Sequence, residues 1–209
     1  MTLKGIIITI FVFGVAASAS AQLQFAGGAS LAATNVKYLS LPVGYAFYIQ
    51  QSTGDHTALR FSYTCGIDSK ADTRRIPGIG FDRATRNPFY FGYVDSKLHT
   101  FELALLFRVA HLGRIALAAA PGIDFVLFTS DFESDYSLPG PHNYSHYTVG
   151  GSALLDSEVR IGSGDELRVH VGLRTIFVPR IADSERAFLG NIDSAWLIEA
   201  TVSLASVYM

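Results

Sequence analysis

The chain has 209 residues and a formal net charge of -2, and only 16% of its residues are charged. That length suits one domain, and the near-neutral charge argues against a nucleic-acid-binding surface. Apolar residues make up 49% of the chain, yet beyond the N-terminus no uncharged apolar run reaches the roughly 20 residues that a membrane-spanning helix needs.

The N-terminal residues 1–21 have the pattern of a cleaved signal peptide. A lysine precedes the apolar stretch 6–15, and the small residues Ala19 and Ala21 form an A-x-A cleavage site. An uncleaved anchor helix is the alternative, but the apolar stretch is short and small residues follow it. The sequence therefore predicts an exported protein with a signal peptide at 1–21 and one mature domain at 22–209.

The mature chain contains eight segments with the apolar alternation or composition of β-strands. Most of them have 11 to 15 residues. A strand of a soluble protein averages about 5–6 residues, whereas a tilted membrane strand needs about 9–11. Their length therefore favours membrane strands. In chain order the predicted strands are 22–34, 41–51, 57–68, 97–109, 114–128, 147–161, 166–178 and 195–208.

Alternation places the charges of each segment on one face. In 57–68, for example, Phe61 and Tyr63 share a face while Arg60 and Ser62 share the other. A soluble antiparallel sandwich would also alternate, so strand length and connections have to separate the two folds. Segment 101–112 is rich in helix formers and could form an amphipathic helix, but its strict alternation favours a strand.

The connections between the predicted strands alternate in length. Three are short turns, and three are long and polar, with the connection near 35–40 as a short exception. Tight periplasmic turns and longer outer loops are typical of membrane barrels, and an even strand number puts both termini on the periplasmic side. The short turns are 52–56, 110–113 and 162–165, and the long connections are 69–96, 129–146 and 179–194.

The whole mature chain resembles the small eight-stranded outer-membrane barrels of the OmpA/OmpX type. The segment YLSLPVGYAFYI, from Tyr38 to Ile49, also resembles the proline-containing strand of PorT-like outer-membrane barrel domains. The resemblance implies an all-β fold, an eight-stranded antiparallel up-and-down transmembrane β-barrel in the bacterial outer membrane. It also implies a monomer that contacts outer-membrane lipids and is inserted by the barrel-assembly machinery, which reads a terminal aromatic residue; here Tyr208 is penultimate.

The inward faces of such a barrel would hold a nearly balanced set of charges. An eight-stranded barrel has an interior just wide enough for side chains to fill it. Unpaired charges there would be costly, so we expect them to pair and plug the lumen. A narrow ion path or a catalytic pair is the alternative. The predicted lumen charge network consists of Arg60, Asp68, Glu102, Arg108, Asp124, Asp156, Glu158, Arg160, Arg168, His170, Arg174 and Glu199.

The connection 129–146 offers a possible metal site at Asp135, His142 and His146, although no tight ligand spacing supports it and a solvated acidic loop is the simpler interpretation. The connection 69–96 carries several arginines that could meet lipid phosphates, but interspersed aspartates favour a mixed polar loop. We expect no metal and no cofactor.

An outer-membrane enzyme that modifies lipids is the alternative class, since acyl transfer needs a serine beside a histidine. Ser145 and His146 are adjacent, but neighbouring strand residues point to opposite faces, and no serine partner of His170 is evident. A soluble secreted ligand-binding barrel is a third interpretation. The sequence therefore predicts a barrel that is not an enzyme and has no catalytic residues. Its role is structural or surface-binding, with recognition of any extracellular ligand by the outer loops.

Overall fold

The computed structural model describes residues 22–36, 39, 42–75, 89–134, 143–162, 166–179 and 192–208. The signal peptide predicted at 1–21 lies outside these residues and stays a prediction. Among the residues described, no helix is long and apolar enough to cross a membrane. The strands are β1 (Leu23–Thr34), β2 (Val43–Ser52), β3 (Thr57–Arg75), β4 (Phe89–Leu112), β5 (Ile115–Ser134), β6 (Asn143–Ile161), β7 (Leu167–Val178) and β8 (Ala195–Tyr208).

The eight strands form a closed barrel in which each strand pairs with its neighbours in chain order and β8 pairs with β1. All pairs are antiparallel, so the predicted fold class is confirmed. The eight predicted strands all exist, and the helical alternative for 101–112 is wrong because these residues belong to β4. The strict alternation of apolar and polar residues in this segment fits a strand, in which successive side chains point to opposite faces of the sheet.

The hydrogen-bonded register sets the width of the barrel. Stepping through Cα partners from Gln24 around all eight strands returns to β1 at Thr34, ten residues further along. A stagger of this size tilts the strands by roughly 40° from the barrel axis, given the usual spacings along and between strands. The interior of such a barrel is filled by side chains from all eight strands.

The two ends of the barrel differ. At one end, here called the turn end, the tight turns 53–56 and 113–114 join strands, β1 begins and β8 ends. Gly113 has a φ of 61°, a left-handed conformation that glycine adopts without steric penalty. The opposite end, where the longer connections lie, is here called the loop end.

Four strands extend well beyond the others at the loop end. The pairing of β2 with β3 ends at Val43 and Ile67, and that of β6 with β7 begins at Gly151 and Phe177. Beyond these pairs β3, β4, β5 and β6 continue as a four-stranded sheet, which we call the blade (68–75, 89–96, 129–134 and 143–150). At the tilt given above, the blade rises by roughly 20 Å.

The blade corrects two predicted connections. Residues 69–75 and 89–96 belong to strands β3 and β4, and 129–134 and 143–146 belong to β5 and β6. The predicted long loops 69–96 and 129–146 are therefore partly sheet. Their polar composition misled the prediction, because it lacks the regular alternation of apolar and polar residues from which strands are predicted.

Candidate functional site

The side chains of the barrel are arranged with apolar groups outside and charged groups inside. Val43, Ile123 and Phe177 point outward and are 58%, 55% and 54% exposed, whereas Glu102 and Asp124 point inward and are 2% and 0% exposed. This polarity is the reverse of a water-soluble protein, in which charged residues are almost never fully buried unless they are paired. The inward charges are therefore the first candidate for a functional site.

The turn-end half of the lumen contains an ion-pair cluster around Asp156. Arg60 donates a hydrogen bond of 2.6 Å to Asp156 Oδ2, and His170 Nδ1 lies 2.8 Å from the same oxygen. The Arg60 Nε atom donates to Gln50 Oε1 at 2.9 Å, and the guanidinium carbon lies 4.3 Å from the ring centroid of Tyr48. A salt bridge, an amide and an aromatic face thus orient one guanidinium, which is the kind of satisfied environment that a buried charge requires.

A second ion pair lies next to this cluster. Arg168 donates a hydrogen bond of 2.8 Å to Glu158 Oε1, and both side chains are buried. Arg160 is more exposed, and its Nε atom lies 4.0 Å from the same oxygen. Glu158 Oε2 is also 3.8 Å from His170 Nε2, so the two ion pairs are connected through His170. We call these residues together the turn-end layer.

A different arrangement, here called the middle layer, surrounds Arg174. Its guanidinium contacts three carboxylates: Glu102 at 3.2 Å, Asp124 at 3.1 Å, and Glu199. The same guanidinium donates to Thr100 Oγ1 at 2.6 Å and to Thr64 Oγ1 at 3.3 Å. One guanidinium therefore contacts three carboxylates in the middle layer. In the turn-end layer the balance is opposite, with three arginines and His170 around two carboxylates.

Serine hydroxyls support the middle layer. Ser62 donates a hydrogen bond of 2.6 Å to one oxygen of Glu102, and Ser152 donates one of 3.2 Å to the other. Asp124 differs, because its Oδ2 atom is buried without a hydrogen bond. Such an atom is costly to bury. Asp124 is therefore the least well satisfied carboxylate of the middle layer.

The loop-end half of the lumen is closed by apolar side chains rather than by charges. We call this cluster the apolar cap. The sequence prediction missed it, because single apolar residues on an otherwise polar inward face give no periodic signal. Its buried members, drawn from strands and from the described residues beside them, are Ala32, Val36, Leu39, Leu98, Val126, Phe128, Ile176, Val178, Ala195 and Leu197.

Two members of the predicted charge network lie outside the buried clusters. Arg108 is exposed and donates a hydrogen bond of 3.1 Å to the backbone oxygen of Asp55. Arg108 precedes the register shift between β4 and β5, and it lies beside the inward residues Gln50 and Asp156 at the open turn end of the barrel. Asp68 is half-buried and pairs in register with Ser96, two residues beyond the cap residue Leu98 on the same face of β4. The other ten predicted residues belong to the turn-end and middle layers.

A small cavity of about 40 Å³ lies at the turn end. It is lined by Gln50, Arg108, Asp156 and Glu158, among others. This volume suits a water molecule or two rather than a substrate. The cavity is therefore too small to form a ligand pocket.

The lumen also contains the residue types of an acyl-transfer triad. Asp156 contacts His170 Nδ1, and Ser203 is the Cα partner of His170 on β8. However, His170 Nε2 has no hydrogen bond, so the contact between nucleophile and base that defines such a site is not made. All three residues are buried, and the 40 Å³ cavity that Asp156 lines is too small to admit a substrate.

The structure describes part of the two other predicted sites, the Ser145–His146 pair and the possible metal site. Ser145 is exposed and His146 is buried, so the two residues lie on opposite faces of β6, as alternation predicted. Asp135 and His142 of the possible metal site lie outside the described residues. Within the part of the chain that the structure describes, no three His, Cys, Asp or Glu side chains are grouped to hold a metal ion.

Solved structures of outer-membrane barrels share this fold. A major outer membrane protein from Thermus thermophilus aligns with a TM-score of 0.62 at 10% identity, covering 90% of this chain and 100% of that one. Ail, the attachment invasion locus protein of Yersinia pestis, aligns at 0.56 and 8% identity, covering 90% and 99%. Neisserial surface protein A aligns at 0.56 and 12% identity, covering 89% and 96%. No protein-family model and no curated relative matches the sequence. The chain thus has the fold of the small eight-stranded outer-membrane barrels.

Proposed function

We propose that this protein is an integral barrel of the bacterial outer membrane, with a closed lumen and a recognition surface at its loop end, which faces the cell exterior. The observation that carries the proposal is the reversed polarity of the barrel wall. A closed barrel satisfies its backbone hydrogen bonds internally and can therefore lie in lipid. We further expect a monomer inserted by the barrel-assembly machinery.

The height of the outward apolar surface supports membrane insertion. On β8 the outward residues run from Trp196 to Tyr208, and the large apolar ones among them are 44% to 59% exposed. At the tilt of the strands, twelve residues rise by about 30 Å, which matches the hydrocarbon core of a bilayer. An exposed apolar surface of this extent in water would be an aggregation hazard.

The only tryptophan of the chain provides the test of membrane insertion. Trp196 is 45% exposed on the outward face near the loop end. Folded into vesicles of brominated phosphatidylcholine, the protein should lose most of its tryptophan fluorescence, with the strongest quenching from bromines near one end of the acyl chain. Unquenched emission, together with identical migration of boiled and unboiled protein on gels, would contradict the proposal.

The side chains that fill the lumen support the proposal that it is closed. The turn-end and middle layers fill one half with paired side chains, and the apolar cap fills the other half, where Phe128 and Val178 are 1% and 0% exposed. A dry apolar constriction blocks ions by excluding water. The protein should therefore give no steady conductance in planar bilayers, and open channels of uniform size would contradict this part of the proposal.

Recognition by the blade follows from its position. The turn-end cavity formed by the described residues has a volume of only about 40 Å³, so we assign binding of another molecule to the surfaces outside the membrane. The blade has edges that the described parts of β2 and β7 do not cover, and an uncovered strand edge offers backbone donors and acceptors to an extended peptide. The loop end is therefore the surface that we propose for contact with partners.

Cysteine labelling on intact cells tests the orientation of the blade. In a Cys65→Ala background, Tyr147→Cys places a thiol on an exposed position of the loop end, and Asp55→Cys places one in an exposed turn at the turn end. A membrane-impermeant maleimide should label the former and spare the latter until the outer membrane is permeabilised. The reverse pattern would contradict the proposed orientation.

A further inference from the structure

The lipid-facing wall carries a group of polar and ionisable side chains near the loop end. Tyr45, Cys65 and His99 are Cα partners across β2, β3 and β4. Tyr63 lies two residues from Cys65 on the same outward face, and Lys97 lies two residues from His99 and is exposed. We call these five residues the Lys97 patch. On the other side of the barrel, the outward residues near the loop end include Phe177, Trp196 and Ile198, and none of the exposed outward strand residues described there is charged.

The ring of His99 is held in a defined orientation. Tyr63 Oη lies 2.8 Å from His99 Nδ1, and the two rings stack with their centroids 6.1 Å apart at an angle of 20°. Tyr45 packs against Tyr63 with ring centroids 6.2 Å apart, and Cys65 is only 3% exposed although it points outward. The aromatic side chains thus form a packed floor, and they fix the histidine on it.

His99 is an ionisable residue on the lipid-facing wall, where burial in lipid is unfavourable for such a side chain. Polar residues at such positions are costly and are found where they have a partner. The hydrogen bond with Tyr63 involves Nδ1, so the other ring nitrogen, Nε2, remains for a group outside the barrel. Interfacial tyrosines alone would anchor the barrel equally well, so anchoring explains the tyrosines but not His99.

The position of Lys97 supplies the second donor. Residues two apart on a strand lie on the same face about 7 Å apart, a span that one phosphate group bridges when both donors lie within hydrogen-bond distance of it. Ile67 is the Cα partner of Lys97 on β3, and Phe101 lies two outward positions nearer the turn end on β4. Both belong to the apolar ring of the barrel wall and are 47% and 38% exposed. A lysine there keeps its ammonium group at the level of the lipid headgroups.

We propose that the Lys97 patch binds the phosphate of an anionic lipid in the outer leaflet, with Lys97 and His99 as donors and Phe101 and Ile67 against its acyl chains. This inference rests on the proposed membrane location. Charge complementarity and the adjoining apolar ring favour a lipid over a soluble anion. Asp95, two residues beyond Lys97, has its carboxylate engaged by Ser69 Oγ, and it limits the site on the side away from the membrane.

The experiment compares retention of two lipids by the detergent-folded mature protein, measured by native mass spectrometry. The probes are a bisphosphorylated, acylated diglucosamine and the same lipid without phosphates. The phosphorylated lipid should be retained preferentially, and Lys97→Ala should weaken its binding about tenfold, because a charge-assisted hydrogen bond is lost. Tyr63→Phe, which frees the ring of His99, should weaken binding less.

Arg114→Ala is the matched control, because Arg114 is also an exposed cation but lies in the tight turn at the opposite end of the barrel. Its lipid retention should equal that of the unmodified protein. His99→Leu, which suits a lipid-facing position, should also weaken phosphate binding while leaving the heat-dependent gel shift intact.

The outcomes separate the site from the membrane location. Equal retention of both lipids, or equal effects of Lys97→Ala and Arg114→Ala, would overturn the lipid site and leave the patch as an anchor. Displacement of the lipid by inorganic phosphate alone would overturn the choice of a lipid as ligand. A failure of the membrane location itself would instead show as unquenched Trp196 fluorescence in brominated vesicles.

Discussion

In the turn-end half of the lumen, Arg60, Arg168 and Arg174 contact carboxylates at distances of about 3 Å or less. In the loop-end half, Phe128, Ile176 and Leu197 pack together with no charge among them. Both groups of side chains fill the lumen of the same barrel, yet different interactions stabilise them. Charges must find partners because water is absent, whereas apolar groups need only shape and volume.

The comparison indicates how each half should respond to change. Removing one partner of a buried ion pair leaves the other charge buried without a counter-charge. The loss of stability then comes mainly from that unpaired charge rather than from the lost contact. Removing atoms from an apolar cluster leaves a cavity, whose cost grows with its volume. The effects of substitutions in the charged layers should therefore range more widely than those in the apolar cap, with the largest loss where a shared cation is removed.

The largest effect is expected for Arg174→Met. Methionine keeps the approximate length of the side chain but leaves Glu102, Asp124 and Glu199 without their shared cation. The free energy of unfolding should fall by about 3–5 kcal/mol or more, as for other buried ion pairs that lose one partner. Urea unfolding of the protein in vesicles, followed by Trp196 fluorescence, measures it.

Arg108→Met is the control for Arg174→Met, because Arg108 carries the same charge but is exposed at the turn end. Its effect should stay within about 0.5 kcal/mol, as is usual for surface substitutions. Similar losses in the two variants would contradict the assignment of Arg174 as the centre of the middle layer.

An intermediate effect is expected for Phe128→Ala in the apolar cap. Phe128 is 1% exposed and stacks over His146 with ring centroids 6.3 Å apart. The cavity should lower the free energy of unfolding by about 3 kcal/mol, with single-channel recordings as a second measurement. Phe125→Ala is the matched control on the outward face, where Phe125 is 55% exposed, and a loss there as large as in Phe128→Ala would mean that the cap is not tightly packed.

The smallest effect is expected for Asp124→Asn. The substitution removes one of the three negative charges around Arg174 while keeping the shape of a carboxylate that has an oxygen without a hydrogen bond. Relief of repulsion should offset the weakened contact with Arg174, so the free energy of unfolding should change by less than about 1 kcal/mol in either direction. A loss comparable to that of Arg174→Met would show that all three carboxylates are required, and the same urea titration decides.

The sequence was sufficient to predict the strands and their faces. β8 spans the residues predicted for it, 195–208, because strict alternation between Ile198, Glu199 and their neighbours has a single solution in a barrel with one apolar face. Ten of the twelve predicted lumen charges lie in the two buried layers for the same reason. The largest errors in strand ends lie in the blade, where the sequence carries no regular alternation, and β4 also runs to Leu112, into the predicted turn 110–113.

Only the tertiary structure decided which residues meet. The order of residues along the chain does not show that Arg60 contacts Asp156 rather than Glu102. Nor does it show that Arg174 contacts three carboxylates while Arg108 is exposed at the turn end. Those contacts depend on the ten-residue stagger of the closed barrel, which brings distant strands to the same height. The periodicity of side chains is local and can be read from sequence, whereas stagger and closure belong to all eight strands together.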